Sequence, residues 1–153
     1  MPASLAEQIA QRGEAIALTI AALSGRVYRD RQDAFTREES PALIVEHVDE
    51  DTTPVGGPVG PFTPLGALES NDVRIAFVAC ARAASWQTVA DGVRVTLHQL
   101  LLADAALRSL CTRIQRDRCE WKAASADQPF GYCAQIYTFK TLTRAHALDL
   151  VAT

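Results

Sequence analysis

Apolar residues recur at helical spacing from the start of the chain, where Leu5, Ile9, Ile16, Ile20 and Leu23 form one stripe. Ser4-Leu5-Ala6-Glu7 opens that stripe as a capping box, in which Ser4 and Glu7 satisfy free N–H groups reciprocally. Gly13 weakens its middle by about 1 kcal/mol relative to Ala, and Ser24-Gly25 ends the helix, with Gly25 suited to the left-handed C-terminal position. Arg26 to Arg29 reads as a short edge strand, and the charged run Asp30 to Ser40 as a loop with Phe35 its one large apolar anchor. Pro41 then opens a strand over Ala42 to Val48. A second strand spans Leu68 to Ala81. In it Val73, Ile75 and Phe77 share one face, Arg74, Ala76 and Val78 share the other, and Ala76 to Ala81 is nearly all apolar, as in mid-sheet.

Ser85 starts the second helix, in which Trp86, Val89, Val93, Leu97, Leu100 and Leu101 fall on one side. Asp104 caps a further short turn over Ala105 to Leu110. Two long strands, Cys111 to Ala123 and Gly131 to Thr143, close the chain around the loop Ala124 to Phe130. Two amphipathic helices with these strands predict an α+β fold: a mainly antiparallel sheet of about four strands, both helices on one face. The other sheet face must then meet water or a neighbouring subunit. Between the strands ending at Val48 and starting at Leu68 lies a Pro/Gly-rich run, Thr52 to Ala67. Hairpin loops need only about 2–5 residues. Four prolines stiffen this one and four glycines let it bend. Its apolar tips Val55, Val59 and Phe62 suit contact with a partner, so the run reads as an arm that orders against another protein.

At 153 residues the chain is most simply one domain. Its 15 Lys and Arg stand against 18 Asp and Glu, without the basic excess of a dedicated nucleic-acid binder. The apolar segments fall short of the roughly 20 residues of a membrane-spanning helix, and no basic segment followed by an apolar core marks a signal peptide. The four cysteines, Cys80, Cys111, Cys119 and Cys133, form no C-x-x-C pair and have no histidine at ligand spacing. They read as free buried thiols.

Signals for catalysis are weak. His47, His98 and His146 are scattered over a strand, a helix and the C-terminal tail, and no nucleophile elbow or H-E-x-x-H motif is present. His98 lies just off an apolar stripe, as a partly exposed structural histidine would. Glu46, Asp49, Glu50 and Asp51 lack the alternating ligands and glycine turn of a calcium loop and read as a solvated strand end. No catalytic, cofactor-binding or metal-binding set is assigned. The last-but-one strand is more informative. There Arg116, Arg118, Glu120 and Lys122 alternate outward on one face, while Cys119 and Trp121 turn toward the helices. Such charges keep an open sheet soluble, or pair with a complementary surface and set its register; Arg74 belongs to the same surface.

Taken in order, the chain has an amphipathic helix running into Gly25-Arg26-Val27-Tyr28, the strand Pro41-Ala42-Leu43-Ile44-Val45, an extended loop, and a central strand and helix leading to Asp104-Ala105-Ala106-Leu107. It closes with the aromatic-rich strand Ile136-Tyr137-Thr138-Phe139-Lys140-Thr141. This organisation, over nearly the whole chain, resembles the tail terminator proteins of long-tailed bacteriophages, the minor tail protein U type. The resemblance implies a homo-oligomeric ring, usually hexameric, on the last ring of the tail tube. That ring stops tube growth and presents a surface to head-completion or connector proteins. It implies a virion protein assembled in the host cytoplasm, with DNA passing through the ring unheld, no cofactor and no catalytic residues. On this reading Val55, Val59 and Phe62 supply apolar anchors, while Arg74, Arg116 and Arg118 steer or fix the adjoining subunit. The alternatives are another head–tail joining protein and, from a different class, a small cytoplasmic enzyme or ligand-binding domain, which would need a pocket of converging polar groups.

Overall fold

In the computed structural model, which describes residues 2–33, 35–56, 66–124 and 129–152, helix α1 (Leu5–Leu18) starts where the Ser4 side chain accepts the Glu7 backbone N–H at 3.3 Å. Only that half of the capping box forms, because the Glu7 carboxylate turns away to Arg29 at 3.0 Å and Gln11 at 2.9 Å. The helix stops at Leu18, six residues before the expected Ser24. Thr19 donates both its hydroxyl and its N–H to the Ile16 carbonyl, and the chain tightens into a 3₁₀ turn at Ala21–Leu23. Ile20 and Leu23 are buried all the same, so the stripe is continuous although the helix is not. Ser24 joins Gly25 in left-handed backbone, with φ of 47° and 78°.

The remaining elements are β1 (Val27–Arg29), β2 (Ala42–Pro54), β3 (Leu68–Ala81), α2 (Trp86–Ala103), α3 (Ala105–Leu110), β4 (Arg113–Ala124) and β5 (Phe130–Arg144). They form one five-stranded sheet in the order β1-β2-β3-β5-β4. The short β1 runs parallel to β2 and every other pair is antiparallel, so the sheet is mixed but mainly antiparallel. Asp104 caps α3 as its sequence context suggests, accepting the Leu107 N–H at 2.7 Å.

All three helices lie on one sheet face. There Val73, Ile75, Phe77 and Ala79 of β3 meet Ile9, Ile16, Val93, Leu97, Leu101 and Leu107 in the main core. Gly13 belongs to this contact. A Cβ built there would stand 2.7 Å from Phe77 Cζ, so the missing side chain leaves room for the Phe77 ring that β3 sends against α1.

The opposite face carries a second, smaller cluster, with Ala42, Ile44, Ala76, Val78, Cys80 and Ile136 under Phe35. The expectation that this face meets only water or a neighbour therefore needs correction. Phe35, 5% exposed, covers part of it. Arg31 stacks on Tyr28 and Phe35 and pairs with Glu39 at 2.9 Å.

Strand β2 runs six residues beyond Val48, so Thr52, Thr53 and Pro54 belong to a ladder with Asn71, Ser70 and Glu69 rather than to the arm. A β-bulge at Val48, between His47 and Asp49, interrupts the side-chain alternation and hides the strand's continuation from a period-two pattern. A matching bulge at Asp117 lies in β4. The far half of the sheet is packed by polar contacts: Thr52 donates to Asn71 and Asn71 to Thr143, each at 2.8 Å.

Candidate functional site

Arg74 stands on the face of β3 away from the helices, where the Val48 bulge brings Asp49 and Asp51 of β2 against it. Its guanidinium donates to Asp49 at 2.7 Å and to Asp51 at 2.8 Å, with Asp117 of β4 4.0 Å away. The hydrogen bonds from Asp49 and then Asp51 raise its pKa further above the ordinary arginine range. What reads in sequence as a solvated acidic strand end is in part a clamp on this arginine. Asp49 lies opposite Arg74 and Asp51, two residues on, shares its face opposite Asp72, a relation that only the register makes visible.

Arg116 and Arg118 do not share a face. The extra residue Asp117 reverses side-chain parity, leaving Arg116 opposite Tyr137 and Arg118 opposite Ile136. Arg116 thus turns to the helix side, where Arg94, His98 and Gln135 join it around a hollow of about 110 Å³. Arg118 points to the other face and pairs with Glu120 at 3.2 Å. Val55, 44% exposed, stands at the far end of the β2–β3 hairpin. Val59 and Phe62 lie outside the described residues.

Each histidine has a structural partner. His98 Nδ1 is 2.8 Å from the Tyr137 hydroxyl, and burial, then Arg116 and Arg94, lower its pKa. His47 lies 3.2 Å from Glu7, and His146 accepts the Gly66 N–H at 3.1 Å. Among the described residues no three His, Cys, Asp or Glu side chains group as metal ligands. Nor is any helix of these residues long and apolar enough to cross a membrane.

The cysteines divide into two kinds by their partners. Cys80 and Cys111 each donate to a nearby carbonyl, and burial pushes their thiols up to about 12 and about 11. Cys119 and Cys133 instead face each other across β4 and β5 with their sulfurs 2.8 Å apart, and burial, then the contact with Cys119, pushes the Cys133 thiol up to about 12 as well. A search for local ligand motifs cannot find this pair. Its one sequence signal is that the two cysteines flank the predicted hairpin loop, Cys119 before Ala124 and Cys133 after Phe130. Beside them Trp121 turns to the helix side as expected, packing on Trp86 with ring centroids 6.2 Å apart and with Arg94 over its face.

Two larger surfaces remain. A groove of about 490 Å³ crosses the non-helical face, floored by Ile44, Val78 and Ile136 and rimmed by Arg31, Glu46 and Glu120. The sheet also ends in two long strand edges that pair with no further strand among the described residues. One is β2 from His47 to Pro54, exposed along its whole length. The other is β4, the last strand in the sheet order. The outer β2 edge carries Asp49, Glu50 and Asp51, whereas β4 carries Arg113, Arg116, Arg118 and Lys122 against Asp117 and Glu120. The chain matches no protein-family model and no curated protein by sequence.

Proposed function

We propose that this chain is a structural virion protein, a tail terminator of a long-tailed bacteriophage, whose copies join head to tail in a ring that caps the tail tube. The observation that carries the reading is the pair of uncovered strand edges of opposite charge on opposite sides of one sheet. Exposed edges of this length are a liability that a solitary protein blunts or covers. Here the three steps from β2 through β3 and β5 to β4 are each antiparallel. The acidic β2 edge of one copy therefore lies antiparallel to the basic β4 edge of the next when neighbouring sheets are set side by side. Such a contact joins two different patches, and it closes into a ring when the rotation between neighbours allows.

In this assembly Arg116 and Arg118 face the neighbour's acidic strand. Arg74 acts from behind, fixing Asp49 and Asp51 in place. Val55, Val59 and Phe62 supply apolar anchors for the tube or the adjoining subunit, and the outer surface of the ring receives the head-completion protein. Charge complementarity of this kind sets register and suppresses wrong partners.

Native mass spectrometry across a concentration series, with and without tail-tube protein, tests the proposal. Rings are expected, with tube-end protein lowering the concentration at which they form. Reversing Arg116 and Arg118 to Glu, or Glu50 and Asp51 to Lys, is expected to abolish them, and combining the two reversals to restore them. Monomers under every condition would overturn the reading. Binding to a portal protein in preference to tube protein would move the chain to a head–tail joining role.

A further inference from the structure

We propose that Cys119 and Cys133 are a modification site, a dithiol that a peroxide converts to a cross-strand disulfide tying the edge strand β4 to β5. This inference does not depend on the ring. The two sulfurs are 2.8 Å apart, closer than the about 3.5–4.0 Å at which even non-bonded carbons sit best. They need to close by only about 0.8 Å to reach a disulfide bond length. Cys119 lies opposite Gln135 and Cys133 opposite Trp121, so the thiols occupy diagonal positions on the same sheet face and lean toward each other.

Access sets the order of events. Cys119 is half-buried on β4, the last strand of the sheet among the described residues, whereas Cys133 is fully buried behind it. Arg94, held by Asp91, places a positive charge beside both sulfurs. The other two thiols have no such arrangement, since Cys80 and Cys111 each donate to a backbone carbonyl.

The chemistry balances with hydrogen peroxide as the oxidant. Cys119 sulfur attacks one peroxide oxygen, the O–O bond breaks, and Cys119 sulfenic acid and one water result. Cys133 sulfur then attacks Cys119 sulfur. The S–O bond breaks, and the departing hydroxide takes the Cys133 proton as a second water. Two electrons have passed from the sulfur pair to the peroxide.

The test uses the whole reduced chain with stoichiometric peroxide, followed by thiol titration in denaturant, intact mass and peptide mapping. Two of the four thiols are expected to disappear, with loss of two hydrogens in mass and a crosslinked Cys119–Cys133 peptide. Tryptophan fluorescence is expected to change with the same time course, because Trp121 stands opposite Cys133. A Cys80→Ser, Cys111→Ser double variant keeps the whole response, and Cys119→Ser, an exchange at the half-buried position, abolishes the crosslink. Four thiols remaining, an intermolecular disulfide as the chief product, or a sulfinic acid on Cys119 with Cys133 still free would each overturn the proposal.

Discussion

Replacing each of two helical glycines with alanine is expected to change stability in different directions. Gly13 lies inside α1 and Gly92 inside α2. Helix propensity alone favours alanine at either place by about 0.8–1.0 kcal/mol. At Gly92 an added Cβ meets no heavy atom within 4 Å, so the whole gain is available. At Gly13 it would stand 2.7 Å from Phe77 Cζ and 3.0 Å from Cε1. Phe77 is 1% exposed and its ring is braced edge-on against Tyr137, with centroids 5.7 Å apart at 85°. Overpacking of this kind costs about 1–3 kcal/mol, which cancels the propensity gain or exceeds it by up to about 2 kcal/mol. For a chain of this size about 1 kcal/mol moves Tm by roughly 2–4 °C. Gly92→Ala should therefore raise Tm by about 2–4 °C, and Gly13→Ala should leave it unchanged or lower it by up to about 8 °C. Urea unfolding followed by circular dichroism gives the free energies. Trimming the obstacle with Phe77→Leu should make Gly13→Ala favourable in that background, a coupling that a double-mutant cycle reads directly. Equal stabilisation by the two alanines would refute the close contact between α1 and β3.

Two further outcomes follow from individual contacts. Asp104→Ala removes the α3 cap and the partner of Arg12; it should destabilise by about 0.5–2 kcal/mol, and Asp104→Asn, which keeps a capping oxygen, by less, as measured by the same urea titration. Arg29, with help from Gln11 and His47, holds Glu7 down from its ordinary 4.5 to about 2. A carboxylate depressed in the folded state stabilises fully above its unfolded pKa and loses that contribution as pH falls through the folded one. The wild type should thus lose stability between pH 4.5 and about 2, and Glu7→Gln should flatten that part of a Tm-versus-pH curve; an unchanged slope would exclude Glu7 as a source.

Elements with a dense one-sided apolar set were legible from sequence. The bounds of β3 and the extent of α2 follow from Val73-Ile75-Phe77 and from Val93-Leu97-Leu101, because burial of those faces leaves one register. What escaped was set by pairing rather than by pattern. The outer half of β2 is polar on both faces and packs through Thr52, Asn71 and Thr143, so it shows no hydrophobic period. Gly13 shows as a propensity cost in one dimension and as a contact only in three. The separation of Arg116 from Arg118, the hold on Arg74 and the meeting of Cys119 with Cys133 all depend on strand register. A linear reading cannot supply register across a bulge.

The two bulges fall almost on one row of the sheet, that of Ile75 and Tyr137: Val48 interrupts β2 between the partners of Ile75 and Arg74, and Asp117 interrupts β4 between the partners of Tyr137 and Ile136. Arg74 lies beside that row, and the carboxylates around it come from both margins of the sheet. Each inserted residue works as a phase shifter for everything beyond it. Were Val48 paired in regular alternation instead of bulged out, Asp49 and Asp51 would turn to the helix side and Glu50 outward, and a regular pairing of Asp117 would exchange the places of the sulfur at 119 and the carboxylate at 120. Two single residues thus decide which half of the chain's outer chemistry is shown to the world.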